Sequence, residues 1–106
     1  MKFPQKTTSK EKVEILERYI LVHSYLYYHE NTSVISDKRY DKASKFLVSK
    51  IEKYGPNKIA KTQYGYVFKD FDGNTGFDLI DRLTKKDRDR IRKVATHVLR
   101  SYEGRR

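Results

Sequence analysis

Four stretches of the chain carry a readable hydrophobic pattern, and three of them have the period of a helix. In the first, Val13, Ile15, Leu16, Tyr19, Ile20, Leu26 and Tyr27 cover about half of a helix circumference at ~100° per residue, with Glu11, Glu14 and Arg18 on the other side. An apolar arc this wide predicts a helix wedged between two neighbours. Thr8-Ser9-Lys10-Glu11 has the capping-box arrangement, in which Glu11 reaches back to the Thr8 amide, so the helix is expected to begin at Thr8 or Ser9.

The second helix is predicted to start after Ser36, a natural N-cap, with Asp37 placing a carboxylate at the positive end of the helix dipole. Ile35 before the cap and Tyr40 after it form a hydrophobic staple. Tyr40, Ala43, Leu47, Ile51 and Tyr54 make the buried stripe, and Gly55-Pro56 ends it. Phe46 falls off that stripe among Lys42, Lys50 and Lys53. It is expected either to pack under a neighbouring element or to stand as an aromatic within a basic, partner-facing patch.

The third helix is capped by Thr84 with Asp87 three residues on. Ile91, Val94, Ala95, Val98, Leu99 and Tyr102 share one face, and Gly104 is placed to terminate it. Between the second and third helices, residues 62–71 alternate loosely and are rich in aromatics (Tyr64, Tyr66, Phe68, Phe71). Asp72-Gly73-Asn74-Thr75-Gly76 reads as a tight turn with Phe77 opening a return strand. The expected fold is therefore mainly α (α+β): a three-helix core with a short β-hairpin between helices two and three. It forms a single domain over residues 1–106, with a helical pair at 9–54, the hairpin at 62–79 and a basic helix at 84–103.

Composition adds charge to this picture. Lysine and arginine number 24 against 14 acids, a net charge of +10. Residues 82–106 hold ten basic residues against Asp87, Asp89 and Glu103, so +7 of that excess sits in the last quarter of the chain. On the third helix Lys86, Lys93 and Arg100 are a heptad apart on the face opposite the apolar one, flanked by Arg90 and Arg92. A cationic ridge of this kind attracts polyanions. The candidate partner-binding residues are Lys86, Arg90, Arg92, Lys93 and Arg100, and the expected partner is nucleic acid or a nucleic-acid-processing protein. No cysteine is present, which excludes disulfides and thiolate zinc sites. No apolar run approaches the ~20 residues of a membrane span, and the start of the chain lacks a signal-peptide core. A soluble protein of the cytoplasm, with no membrane partner, is the expectation.

The stretch from His23 to Asp41 resembles the N-terminal helical module of bacterial NAD-dependent DNA ligases. That module carries a Tyr-Tyr or Tyr-His pair, a short loop, and Ile-x-Asp-x-x-Tyr-Asp at the head of its second helix. Tyr27, Tyr28, Ile35, Asp37, Tyr40 and Asp41 stand at the matching positions. The resemblance covers the first two helices. It implies a nicotinamide mononucleotide or NAD site in which Tyr27, Tyr28 and Tyr40 enclose the nicotinamide ring while Asp37 and Asp41 bond the ribose or amide. Asn31 and Ser33 replace the usual loop Asp and Pro. The chain holds no counterpart of the adenylation domain, because Lys69-Asp70-Phe71-Asp72-Gly73 is one residue longer than its lysine motif. The resemblance thus implies a non-catalytic relative, of the kind found in phages. It further implies an inhibitor of a host nucleic-acid enzyme such as a CRISPR effector nuclease (anti-CRISPR-like), acting in the bacterial cytoplasm. A nicotinamide-nucleotide-binding accessory module is the alternative.

Other chemistry is thin. Asp70, Asp72, Asn74, Gly76, Asp78 and Asp81 have calcium-loop spacing, but Thr75 occupies the position where such a loop needs glycine. His23 lies in the apolar arc of the first helix, and His29 and His97 are expected at the surface. No nucleophile–base arrangement is legible, so neither catalytic residues nor metal ligands are expected.

Overall fold

The computed structural model describes residues 8–73 and 78–104. Its elements are α1 (Ser9–His29), α2 (Asp37–Tyr54), α3 (Pro56–Ile59), α4 (Gly65–Phe68), a 3-10 turn (Ile80–Arg82) and α5 (Lys85–Glu103). The protein is mainly helical. α1 is the central element: it packs along both α2 and α5, and α4 and the 3-10 turn also rest on it. Its wide apolar arc explains this position. Val13, Leu16, Ile20, Leu21, Val22 and Leu26 are all buried, so it has core contacts around most of its circumference.

The long helices start where local chemistry places them. At α1 the Thr8 hydroxyl accepts from the Glu11 amide at 3.1 Å, and the Glu11 carboxylate accepts from the Thr8 amide at 3.4 Å, completing the capping box. Ser36 Oγ accepts from the Arg39 amide at 3.2 Å and Thr84 Oγ1 from the Asp87 amide at 3.2 Å. Gly55 ends α2 at φ +83°, a left-handed conformation that suits glycine, and Pro56 then opens α3 with its fixed φ.

The predicted β-hairpin over 62–79 is not formed: among the described residues of that segment there is no strand. Residues 74–77, including most of the expected turn, lie outside the described residues. What appears instead is the short helix α4 between turns, and the buried aromatic and aliphatic positions around it, Tyr64, Val67, Phe68 and Phe71, are spaced i, i+3, i+4 and i+7. Tyr66, which an alternating strand would place with Tyr64 and Phe68, is exposed instead. Its hydroxyl donates to Asp87 Oδ2 at 2.6 Å and accepts from the Thr84 amide at 3.2 Å, which fixes the start of α5.

Two features hold this connection against α1. Gly65 sits so close to α3 that a Cβ would lie 1.7 Å from the Ile59 carbonyl oxygen, so only glycine fits. Glu17, fully buried on α1, receives the Tyr64 amide on Oε1 at 3.3 Å. Its Oε2 lies 2.7 Å from the Thr62 hydroxyl. The neighbouring Glu14 accepts from the Gln63 amide at 2.7 Å. Two carboxyl groups one helical turn apart therefore cap consecutive amides of the segment after α3.

That Thr62 oxygen is also 2.7 Å from the Ile59 carbonyl. A hydroxyl has one proton to give, and it cannot serve both acceptors. With Glu17 protonated the chain closes: the carboxyl donates to Thr62, and Thr62 donates to Ile59. Burial agrees, pushing the Glu17 carboxyl up from 4.5 to about 7 against the lowering effect of the Thr62 and Tyr64 bonds. His23 is perturbed in the opposite direction. Burial, helped by the nearby Arg39 charge, lowers its imidazole from 6.5 to about 4, and its Nδ1 makes no hydrogen bond.

Candidate nucleic-acid interface

α5 turns a narrow strip inward. Ile91 and Ala95 are fully buried and Val98 and Leu99 partly so, while Val94 at the margin is exposed. At ~100° per residue, Lys86, Arg90, Lys93 and Arg100 fall within an arc of about 80° on the opposite side, and all four are exposed. At ~1.5 Å per residue the stripe from Lys86 to Arg100 is about 21 Å long. None of the four forms an ion pair among the described residues, whose ion pairs involve Arg82 and Arg92.

Arg92 is set apart from this row. It lies about 120° around the helix from Lys86, pairs with Asp89 at 3.5 Å, and stands close enough to Tyr25 of α1 to act on its hydroxyl. His97 was not among the expected interface residues, yet it is exposed in the middle of the stripe, between Lys93 and Arg100. Its position four residues after Lys93 and three before Arg100 was the available signal. Arg82, just before α5, is committed to the fold. It donates to Asp70 Oδ1 at 2.7 Å, to Asp78 Oδ2 at 3.0 Å and to the Val67 carbonyl at 3.2 Å. This arginine draws together Asp70 and Asp78, two of the acids of the calcium-like spacing, and its guanidinium holds the Asp70 carboxyl below the usual range. No group of three or more potential metal-binding side chains occurs among the described residues.

The residues of the ligase-like pattern gather at the junction of α1 and α2. Tyr27 and Tyr28, 52% and 40% exposed, sit edge to face with centroids 4.9 Å apart. Tyr40 is half-buried, and its hydroxyl is 2.7 Å from Ser24 Oγ on α1. Burial raises the Tyr40 phenol, with the nearby Tyr28 and Asp41 adding to the effect. Tyr28, Tyr40 and Asp41 are thus neighbours, while Asp37 is exposed in the first turn of α2. Tyr40 serves as a strut between the two helices, whatever else it touches.

A groove of about 310 Å³ lies between α1 and α2, lined by Leu16, Tyr19, Arg39, Lys42, Ala43 and Phe46. Phe46 is 40% exposed. The Lys50 ammonium stands 5.2 Å from its ring centroid. No helix among the described residues is long and apolar enough to cross a membrane. Comparison with family models, with curated proteins and with solved structures finds no match to this chain.

Proposed function

We propose that the protein is a non-catalytic binding protein that grips nucleic acid, alone or within a nucleoprotein, through the outward face of α5. The observation that carries this reading is the row of Lys86, Arg90, Lys93 and Arg100: four exposed cations, aligned on one helix face and without an ion pair among the described residues, the bordering Asp89 pairing with Arg92 instead. A straight row of this length contacts phosphates along a backbone, which positions a protein without reading sequence. The net charge of +10 supplies the long-range attraction.

The test is charge reversal with a matched control. Lys86→Glu/Lys93→Glu removes two cations from the row, and Lys58→Glu/Lys61→Glu makes the same change in net charge away from α5. Anisotropy of a labelled duplex at ~0.1 M KCl is expected to show at least a tenfold loss for the first pair and about a twofold loss for the second. Equal losses would reduce the effect to net charge and reject the assignment to α5. A parallel titration with nicotinamide mononucleotide tests the ligase-like cluster. Saturable binding abolished by Tyr28→Ala would favour the accessory-module reading.

A further inference from the structure

We infer that the protein bridges two nucleic-acid duplexes: the outward face of α2 is a second phosphate-binding surface, turned away from the α5 row, so that one molecule holds two separate duplex segments at once. This inference rests on the α5 reading for one arm and adds the other.

Three observations converge. First, α2 carries a row that matches the one on α5. Lys38, Lys42, Lys45 and Lys53 are all exposed. They fall within an arc of about 80° at ~100° per residue and span about 22 Å at ~1.5 Å per residue. Asp41 and Glu52 border the row, yet none of its four lysines forms an ion pair among the described residues. Second, positive charge is segregated to the two outer helices. Counting lysine and arginine against acids, α2 holds six to three and α5 seven to three, while α1 between them holds three of each. Third, the rows diverge. α2 and α5 both pack along α1 and not along each other. α2 lies on the side of Leu16 and Tyr19, which line a groove with its Ala43, and α5 on the side of Tyr25, near Arg92. Tyr25 is about 120–180° around α1 from Tyr19 and Leu16. Each row stands opposite its own helix's buried strip, Ala43 and Leu47 on α2 and Ile91 and Ala95 on α5. The two rows therefore face away from one another.

This arrangement selects two occupants of one kind. The α2 row has nearly the length and width of the α5 row, so it fits the same straight phosphate backbone. Its lysines are flexible point charges that contact phosphates without reading sequence. DNA is stiff over ~50 nm, whereas the protein measures only 40 × 31 × 24 Å. A segment lying on α5 thus passes the protein without turning round it, and leaves α2 open to a second segment from the other side. The α5 row includes two arginines and its bordering Asp89 is paired with Arg92, which makes it the stronger arm. The all-lysine α2 row, with acids along one edge, is the weaker.

The experiment is duplex capture. One short duplex is fixed to beads, a second, fluorescent duplex is free in solution, and the fluorescence retained on the beads is read as protein is added. Wild type, Lys38→Glu/Lys42→Glu and Lys86→Glu/Lys93→Glu are compared, and the affinity of each for a single labelled duplex is measured in parallel by anisotropy. All four lysines are exposed, so both variants should fold as wild type does. With wild type, capture should rise and then fall, because excess protein gives every duplex its own copy. Lys38→Glu/Lys42→Glu should lower capture at least about tenfold while changing single-duplex affinity by no more than about threefold. Lys86→Glu/Lys93→Glu should lower both. Two results would overturn the inference and leave the α5 reading in place. One is absence of capture at wild-type concentrations that saturate the duplex in anisotropy. The other is capture that Lys38→Glu/Lys42→Glu leaves intact, as pairing of two α5 rows in a self-associated protein would give. Single-duplex affinity indifferent to Lys86→Glu/Lys93→Glu would instead remove the α5 arm, and the inference with it.

Discussion

Replacing Glu17 by glutamine should make this protein more stable at neutral and alkaline pH, although the side chain it alters is fully buried and hydrogen-bonded. The reason lies in proton count. The Thr62 hydroxyl stands 2.7 Å from two oxygens, and the arrangement is satisfied when Glu17 carries a proton. Glutamine reproduces that state: its NH₂ donates to Thr62 and its carbonyl accepts from the Tyr64 amide. In the folded protein the carboxyl is raised from 4.5 to about 7, so between those values the native state holds a proton that the unfolded chain has released. Stability from this group is therefore full below pH 4.5 and is lost as pH rises through about 7. At ~1.4 kcal/mol per pH unit the loss is about 3 kcal/mol. His23 works in the opposite sense. Its imidazole is lowered from 6.5 to about 4, so it costs stability as pH falls from 6.5 towards 4, again by about 3 kcal/mol. The two contributions overlap and nearly cancel, leaving the wild-type profile flat across this window. The diagnostic quantity is thus the difference between Glu17→Gln and wild type in urea unfolding followed by circular dichroism. It should be near zero at pH 4.5 and favour the variant by about 3 kcal/mol at pH 8, a rise in Tm of roughly 10–20 °C for a domain of this size. A variant no more stable than wild type at pH 8 would show that Glu17 is held as a carboxylate, and would refute the reasoning.

Gly65→Ala forces a methyl group onto the Ile59 carbonyl oxygen, and should destabilise the protein by about 1–3 kcal/mol or more, measured by the same unfolding assay. The same change at Gly73, where a Cβ would meet the end of the Val48 side chain at 3.1 Å, adds strain from its φ of +84° but no such collision with backbone. Thr84→Ala removes the acceptor for the Asp87 amide and should cost about 1 kcal/mol, with amide exchange rising first at the start of α5.

The three long helices were legible because each is announced by chemistry acting over three or four residues, whereas the short α3 and α4 were not. Thr8 with Glu11, Ser36 with Arg39, and Thr84 with Asp87 are local contacts that need no tertiary context. The segment from 62 to 73 was misread because aromatics at 64, 66, 68 and 71 fit a loose alternation as well as a helical turn. The choice was made by Val67, which completes the i, i+3, i+4 set with Tyr64 and Phe68, and by the close approach permitted at Gly65. Burial of Glu17 was hidden by its charge. On a helical wheel it falls between Val13, Ile20 and Leu21, inside the arc that the apolar residues define. Its partners, Thr62 and the Tyr64 amide, lie 45 and 47 residues away in a segment whose own structure was uncertain. On α5 the heptad spacing of Lys86, Lys93 and Arg100 found the stripe, whereas flanking position alone did not distinguish Arg90, which joins it, from Arg92, which turns aside to Asp89.

Direct contact between the α5 row and phosphates is measured by the salt dependence of duplex binding. Each phosphate neutralised on B-DNA contributes about −0.9 to the slope of log K against log [KCl]. The row of Lys86, Arg90, Lys93 and Arg100 predicts a slope of about −3.6, or about −4.5 if Arg92 joins it, reduced by about 1.8 in Lys86→Glu/Lys93→Glu. A slope near zero, or one that the double variant leaves unchanged, would contradict it.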